Sequence, residues 1–118
     1  MAVTVFFNVS CSVNETENSK QFTEVLQNHL TAVSEKNIDK LIATLAPNSN
    51  FLFILPNSSP TKLSKDFIEF HTEWFKDASW TFEPKIIATN ISEDMGIALV
   101  EVLYKEPDRN GKPYFYRM

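Results

Sequence analysis

Two histidines are the residues best placed to do chemistry. His29 falls on the stripe Phe22, Val25, Leu26, His29, Leu30 and Val33, and His71 on the stripe Phe67, Phe70, His71 and Trp74. Both spacings are helical, so each imidazole lies on the apolar face of its helix, where a polar group needs a partner. If the two helices cover one sheet face, the rings point into one interior and form a general acid/base or ligand-orienting pair. The alternative is that each is satisfied by a backbone carbonyl or a tyrosine. A metal site is not expected, because no third ligand lies at recognisable spacing.

Glu101 is the second candidate. It alternates with Ile97, Leu99 and Leu103, while Ala98, Val100, Val102 and Tyr104 form the other face of the same strand. With both faces apolar, the strand is expected to be central and covered twice. Glu101 would then be partly buried, with a raised pKa if unpaired, and able to act as a base or hold a polar ligand group. The competing role is an ion pair with Arg117 or a neighbouring lysine. Phe53, Trp74, Trp80, Phe82, Tyr104, Tyr114 and Tyr116 line an aromatic cavity or fill a plain core. Phosphate-cradling loops are excluded, since the glycines are only Gly96 and Gly111. No nucleophile elbow, zinc-protease or calcium-loop motif occurs either.

The elements that must position these groups follow from periodicity. Ser19 is expected to cap a first helix running through Val33. Asn37 or Asp39 opens a short second helix through Ile38, Leu41, Ile42 and Leu45, closed by Pro47 and Asn48. Phe51 to Leu55 is an uninterrupted apolar run, which predicts a strand covered on both faces and ended by the turn Pro56 to Pro60. Ser64 is expected to cap a third helix, with Asp66 in its first turn. Strands follow over 80–90, 97–105 and from Tyr114 on. They are joined by a loop at 92–96 and by a hairpin around Asn110-Gly111. Pro84 marks an edge or a bulge. Helices followed by a strand meander give an α+β fold, with three helices in the N-terminal half laid on a curved antiparallel sheet.

Composition narrows the function further. The 118 residues make one domain, and 43% hydrophobic against 22% charged residues exclude wholesale disorder. A net charge of −4 without a lysine or arginine cluster excludes a nucleic-acid footprint. No apolar stretch is long enough to span a membrane. The segment 1–18 reads as a lead, with 19–118 as the domain. Its apolar start, then Ser10-Cys11-Ser12 and a polar tether, is similar to the end of a lipoprotein signal. Asn8 and the lack of a preceding basic residue oppose that, and the other reading is a short edge strand or a disordered lead. As written the chain is expected in the cytoplasm, or as an exported lipoprotein anchored at Cys11 if basic residues precede the given start.

The order of elements resembles the nuclear transport factor 2-like, or SnoaL-like, superfamily of cystatin-like cones. Ala32 to Leu41, with Asn37, Asp39 and Leu41, looks like that superfamily's opening helix pair. His71 to Glu83 and Asp94 to Ala98 look like its third helix running into the meander. The resemblance covers about residues 20–118. It implies helices over a bent sheet, an apolar pocket inside and a homodimer through the sheet's outer face. Leu55 precedes Pro56 where ketosteroid isomerases of this fold carry their aspartate base. No aspartate stands on the strand matching their oxyanion-hole acid, Glu101 being the nearest candidate, so the resemblance disfavours steroid-isomerase chemistry. The resemblance also implies further strand after Met118, a gap filled by dimerisation or strand exchange unless the chain continues.

These readings give a small-ligand pocket protein without a cofactor, binding an apolar or aromatic molecule through His29, Phe53, Trp74, Trp80, Tyr104 and Tyr116. The alternatives are an isomerase, cyclase or dehydratase using His71 or Glu101 as acid/base, and a non-catalytic association module.

Overall fold

A computed structural model describes residues 10–46, 51–55, 58–107, 110 and 113–117, with residues 10–16 and 113–117 described as backbone only. The chain forms α1 (Ser10–Ser34), α2 (Ile38–Ala43) and α3 (Ser64–Phe75), then β1 (Thr81–Ser92), β2 (Met95–Pro107) and β3 (Pro113–Arg117). The strands make one antiparallel sheet in the order β1-β2-β3. Helix α1 packs on β1 and α2, and α2 packs on α3. This is the α+β arrangement expected of helices followed by a meander.

The turn between α1 and α2 is built by local chemistry. Lys36 takes a left-handed backbone (φ 54°) as the chain leaves α1, and the Asn37 N–H donates to the Ala32 carbonyl at 2.9 Å. The Asn37 side chain then accepts from the Lys40 N–H at 3.0 Å and caps α2. The Lys36 ammonium reaches across to the Asp77 and Trp80 carbonyls at 2.9 and 2.8 Å, over the Trp80 ring at 4.1 Å. One residue thus ties the helix pair to the approach to β1. The core that results is Ala32, Val33, Leu41, Phe67 and Trp80.

Several expectations are corrected. Helix α1 already includes Ser10, so Ser19 is inside it, its carbonyl accepting from the Thr23 hydroxyl. Leu63, not Ser64, holds the cap position of α3, and no side chain completes that cap. Residues 51–55 form no named strand. Phe53 and Thr61 exchange two backbone hydrogen bonds of 2.8 Å in an isolated bridge, and Leu52 and Ile54 face outward. Strand β2 is central, but it is not covered on both faces. Ile97 and Leu99 are 65% and 62% exposed because the described helices pack on one side of the sheet only. The Pro47-Asn48 stop, the Pro56-Asn57 turn start and the Gly111 half of the hairpin signal lie outside the described residues, as does Ala2 to Val9.

Pro84 lies on β1, an edge strand of the described sheet, and the register slips between Ile86 and Ala88. Such an irregularity adds local twist and bend. The β1–β2 connection is tighter than the loop expected. Ser92 pairs with Met95, leaving Glu93-Asp94 as the turn, and Gly96 pairs with Ile91. Gly96 lies under the Phe22 ring, which an added Cβ would overlap. Gly96→Ala is therefore expected to lower stability by about 1–3 kcal/mol. In thermal melts, a Phe22→Ala/Gly96→Ala double variant should lose less than the two singles summed, since the clash needs both groups.

Candidate functional site

The two histidine-bearing helices do bring their rings to one interior. His71 is 5% exposed, and its Nδ1–H donates to the Phe67 carbonyl one turn back at 2.8 Å. Its ring lies 3.9 Å from that of Phe67 and within 6 Å of Phe53, Phe70, Trp74 and Phe75 (5.5, 5.1, 5.7 and 5.7 Å between centroids). His29 pairs through Nδ1 with Thr44 Oγ1 at 2.7 Å. The Thr44 hydroxyl donates to the Leu41 carbonyl at 2.7 Å, so its oxygen accepts, and His29 carries its proton on Nδ1. Removal from water holds both imidazoles below the usual histidine range. Mutual repulsion with His71 lowers His29 further, while the Phe67 carbonyl offsets part of the shift at His71. Both rings are thus neutral at pH 7, with a lone pair on Nε2.

Between these rings and the sheet lies a cavity of about 510 Å³. Its walls come from α1 (His29, Leu30), the extended segment (Phe53, Leu55) and α3 (Phe67, Phe70). His71, Trp74, Phe82, Tyr104 and Glu106 complete it. At the sheet side the Tyr104 hydroxyl donates to Glu106 Oε2 at 2.8 Å. Burial, then this bond to a carboxylate, push the Tyr104 pKa up to about 12, against a smaller opposing effect of the Trp74 indole N–H. The phenol therefore stays protonated through the neutral range.

Of the residues singled out from sequence, His29, His71, Phe53, Phe82, Trp74 and Tyr104 meet around this cavity. Trp80 does not line it. That residue is 1% exposed, stacked at 4.1 Å and 16° on Trp74, with its indole N–H on the Trp74 carbonyl at 3.0 Å. It is the support behind the wall rather than the wall. Glu101 lies opposite Lys85 on the other face of β2 from Tyr104 and does not reach the cavity. The side chains of Tyr114, Tyr116 and Arg117 lie outside the described residues.

Glu106 was hidden because the sequence places it in the hairpin loop. Strand β2 runs on to Pro107, and simple alternation from Tyr104 then turns Glu106 inward. Among the described residues no group of three or more His, Cys, Asp or Glu is placed to hold a metal ion.

No protein-family model matches the chain, and no curated protein does. Among solved structures the chain is similar to an LEH-like epoxide hydrolase from M. tuberculosis. The TM-score is 0.51 at 13% identity, over 85% of each chain. At that identity the likeness is one of fold, and the fold is nuclear transport factor 2-like.

Proposed function

We propose that the protein binds a small, largely apolar ligand in the cavity between α1, α3 and the sheet. The observation that carries this reading is the cavity's composition. About 510 Å³ is lined mostly by Leu, Val, Phe and Trp side chains, with a few polar groups converging from His29, His71 and Tyr104–Glu106. Small-molecule sites have this make-up of apolar walls and few polar contacts. That a protein of similar fold is an epoxide hydrolase supports a cone that handles small organic molecules. Titration with N-phenyl-1-naphthylamine, an uncharged fluorophore, should give saturable, one-site emission enhancement. Leu55→Trp, which fills the cavity from the extended segment, should weaken it about tenfold. Absence of saturable binding at the probe's solubility limit would overturn the reading.

Two further readings each rest on one observation. His71 presents a neutral imidazole whose Nδ1–H is fixed on Phe67, which is how a general base of an isomerase, cyclase or dehydratase is held. A folded His71→Ala variant that keeps every activity of the wild type would remove that reading. The outer sheet face exposes Met95, Ile97 and Leu99 side by side along β2, as a homodimer seat would. Sedimentation equilibrium is expected to show a dimer that Leu99→Lys converts to monomer. A monomeric wild type at high protein concentration would exclude it.

A further inference from the structure

Four side chains lining the cavity carry an N–H or O–H donor: His29, His71, Trp74 and Tyr104. Each donor is already engaged within the protein. His29 Nδ1–H goes to Thr44 and His71 Nδ1–H to the Phe67 carbonyl. The Tyr104 hydroxyl goes to Glu106, and the Trp74 indole N–H faces the Tyr104 oxygen closely enough to oppose part of the rise in that phenol's pKa. What remains is a set of acceptors, the two Nε2 lone pairs and the Glu106 carboxylate. Among the described residues neither imidazole makes another hydrogen bond, and no buried side-chain N or O lacks a partner. Both Nε2 atoms are therefore open to the cavity or to solvent. Among the described residues no lysine or arginine lines the space.

We propose that this cavity selects an apolar molecule carrying a neutral hydroxyl, an alcohol or a phenol, over the same skeleton bearing a carboxylate or an ether. The inference rests on the ligand-binding reading above and adds the class of ligand. A hydroxyl brings the one thing the site lacks, a proton to share, and meets an imidazole lone pair. An ether or a ketone brings only acceptors, so the Nε2 atoms lose water and gain no partner. A carboxylate is worse off, because it faces Glu106 with no cation to balance it and must itself leave water. An ammonium group would be drawn to Glu106 but must shed its own hydration in a space walled by Phe and Leu, which favours the neutral donor.

The test is a calorimetric titration of the wild-type protein at neutral pH with three isosteric probes, 2-naphthol, 2-methoxynaphthalene and 2-naphthoate. The naphthol is expected to bind about tenfold tighter than its methyl ether, with the naphthoate weaker than both. His29→Phe and His71→Phe, each checked by circular dichroism for folding, should each shrink the ratio of naphthol to ether affinity. If the ether or the naphthoate binds as tightly as the naphthol, the selectivity is wrong while the cavity remains a binding site. Binding of none of the three would overturn both the selectivity and the ligand-binding reading.

Discussion

Replacing Trp80 by alanine is expected to cost about 3–5 kcal/mol of folding stability, the range for removing a large aromatic from a packed core. Only 1% of the side chain is exposed. Three different interactions converge on it. Its ring stacks on Trp74 and stands 6.0 Å from Tyr104, its N–H closes on the Trp74 carbonyl, and Lys36 lies over its face. Alanine removes all three and leaves a void that the rigid sheet and α3 cannot fill. A domain holds only about 5–15 kcal/mol in total, so this one change takes a large share. Urea unfolding should show the midpoint fall with little change in slope, and Trp80→Phe should lose less because a ring still fills the space. Ligand binding should weaken as well, since Trp74 and Tyr104 lose the ring they rest on. A loss below about 1 kcal/mol would mean that Trp80 is not the support described.

The contrast between Trp80 and Trp74 shows what the sequence could and could not disclose. Both are aromatics beside a helix end, and type alone puts either in a core or a pocket. Only packing assigns one to each. The histidines were legible because helical spacing fixes a face, and a face fixes what a side chain meets. Asn37 was legible as a cap because its amide oxygen does one specific job at a helix start. Ser19 and Ser64 misled for the complementary reason, that serine is tolerated inside a helix as well as at its start. The run Phe51 to Leu55 reads as a doubly covered strand, yet it makes one bridge to Thr61 and turns Leu52 and Ile54 outward. Hydrophobicity records that a segment avoids water somewhere, not which neighbour in this chain covers it. Leu99 and Ile97 carry the same ambiguity, and their exposure leaves an apolar face that Glu101 shares. That places Glu101 away from the histidines, a separation that follows from strand parity once the helices are known to lie on one side. Glu106 was missed because it stands one residue before Pro107, where turn residues masked the continuing alternation.

Acidification should destabilise the protein in a window that begins just below pH 6.5, the ordinary value for both histidines. Their folded-state pKa values are lowered, chiefly by burial. Above about pH 7 neither the folded nor the unfolded chain holds the extra proton, and the histidines leave stability flat. As pH falls through 6.5 the unfolded chain takes up protons that the folded one refuses. Stability therefore declines until the folded-state pKa values are reached, and levels off below them. The slope is at most about 1.4 kcal/mol per pH unit for each histidine, or about 3 kcal/mol per unit while both are in the window. Asp77 acts in the same direction but lower down. The Ser79 hydroxyl and N–H hold it below its ordinary 3.8, so its contribution is lost only in stronger acid. Denaturant midpoints from about pH 7.5 to about pH 5 isolate the histidines from it. His29→Leu and His71→Leu should each remove about half of the slope, because a leucine cannot take up a proton in either state. A flat profile in the wild type across that range, or an unchanged slope in the double variant, would show that the two imidazoles are not held neutral by the cavity. Loading the cavity with 2-naphthol should steepen the loss, because a ligand that donates to Nε2 binds only the unprotonated ring and makes its protonation costlier still.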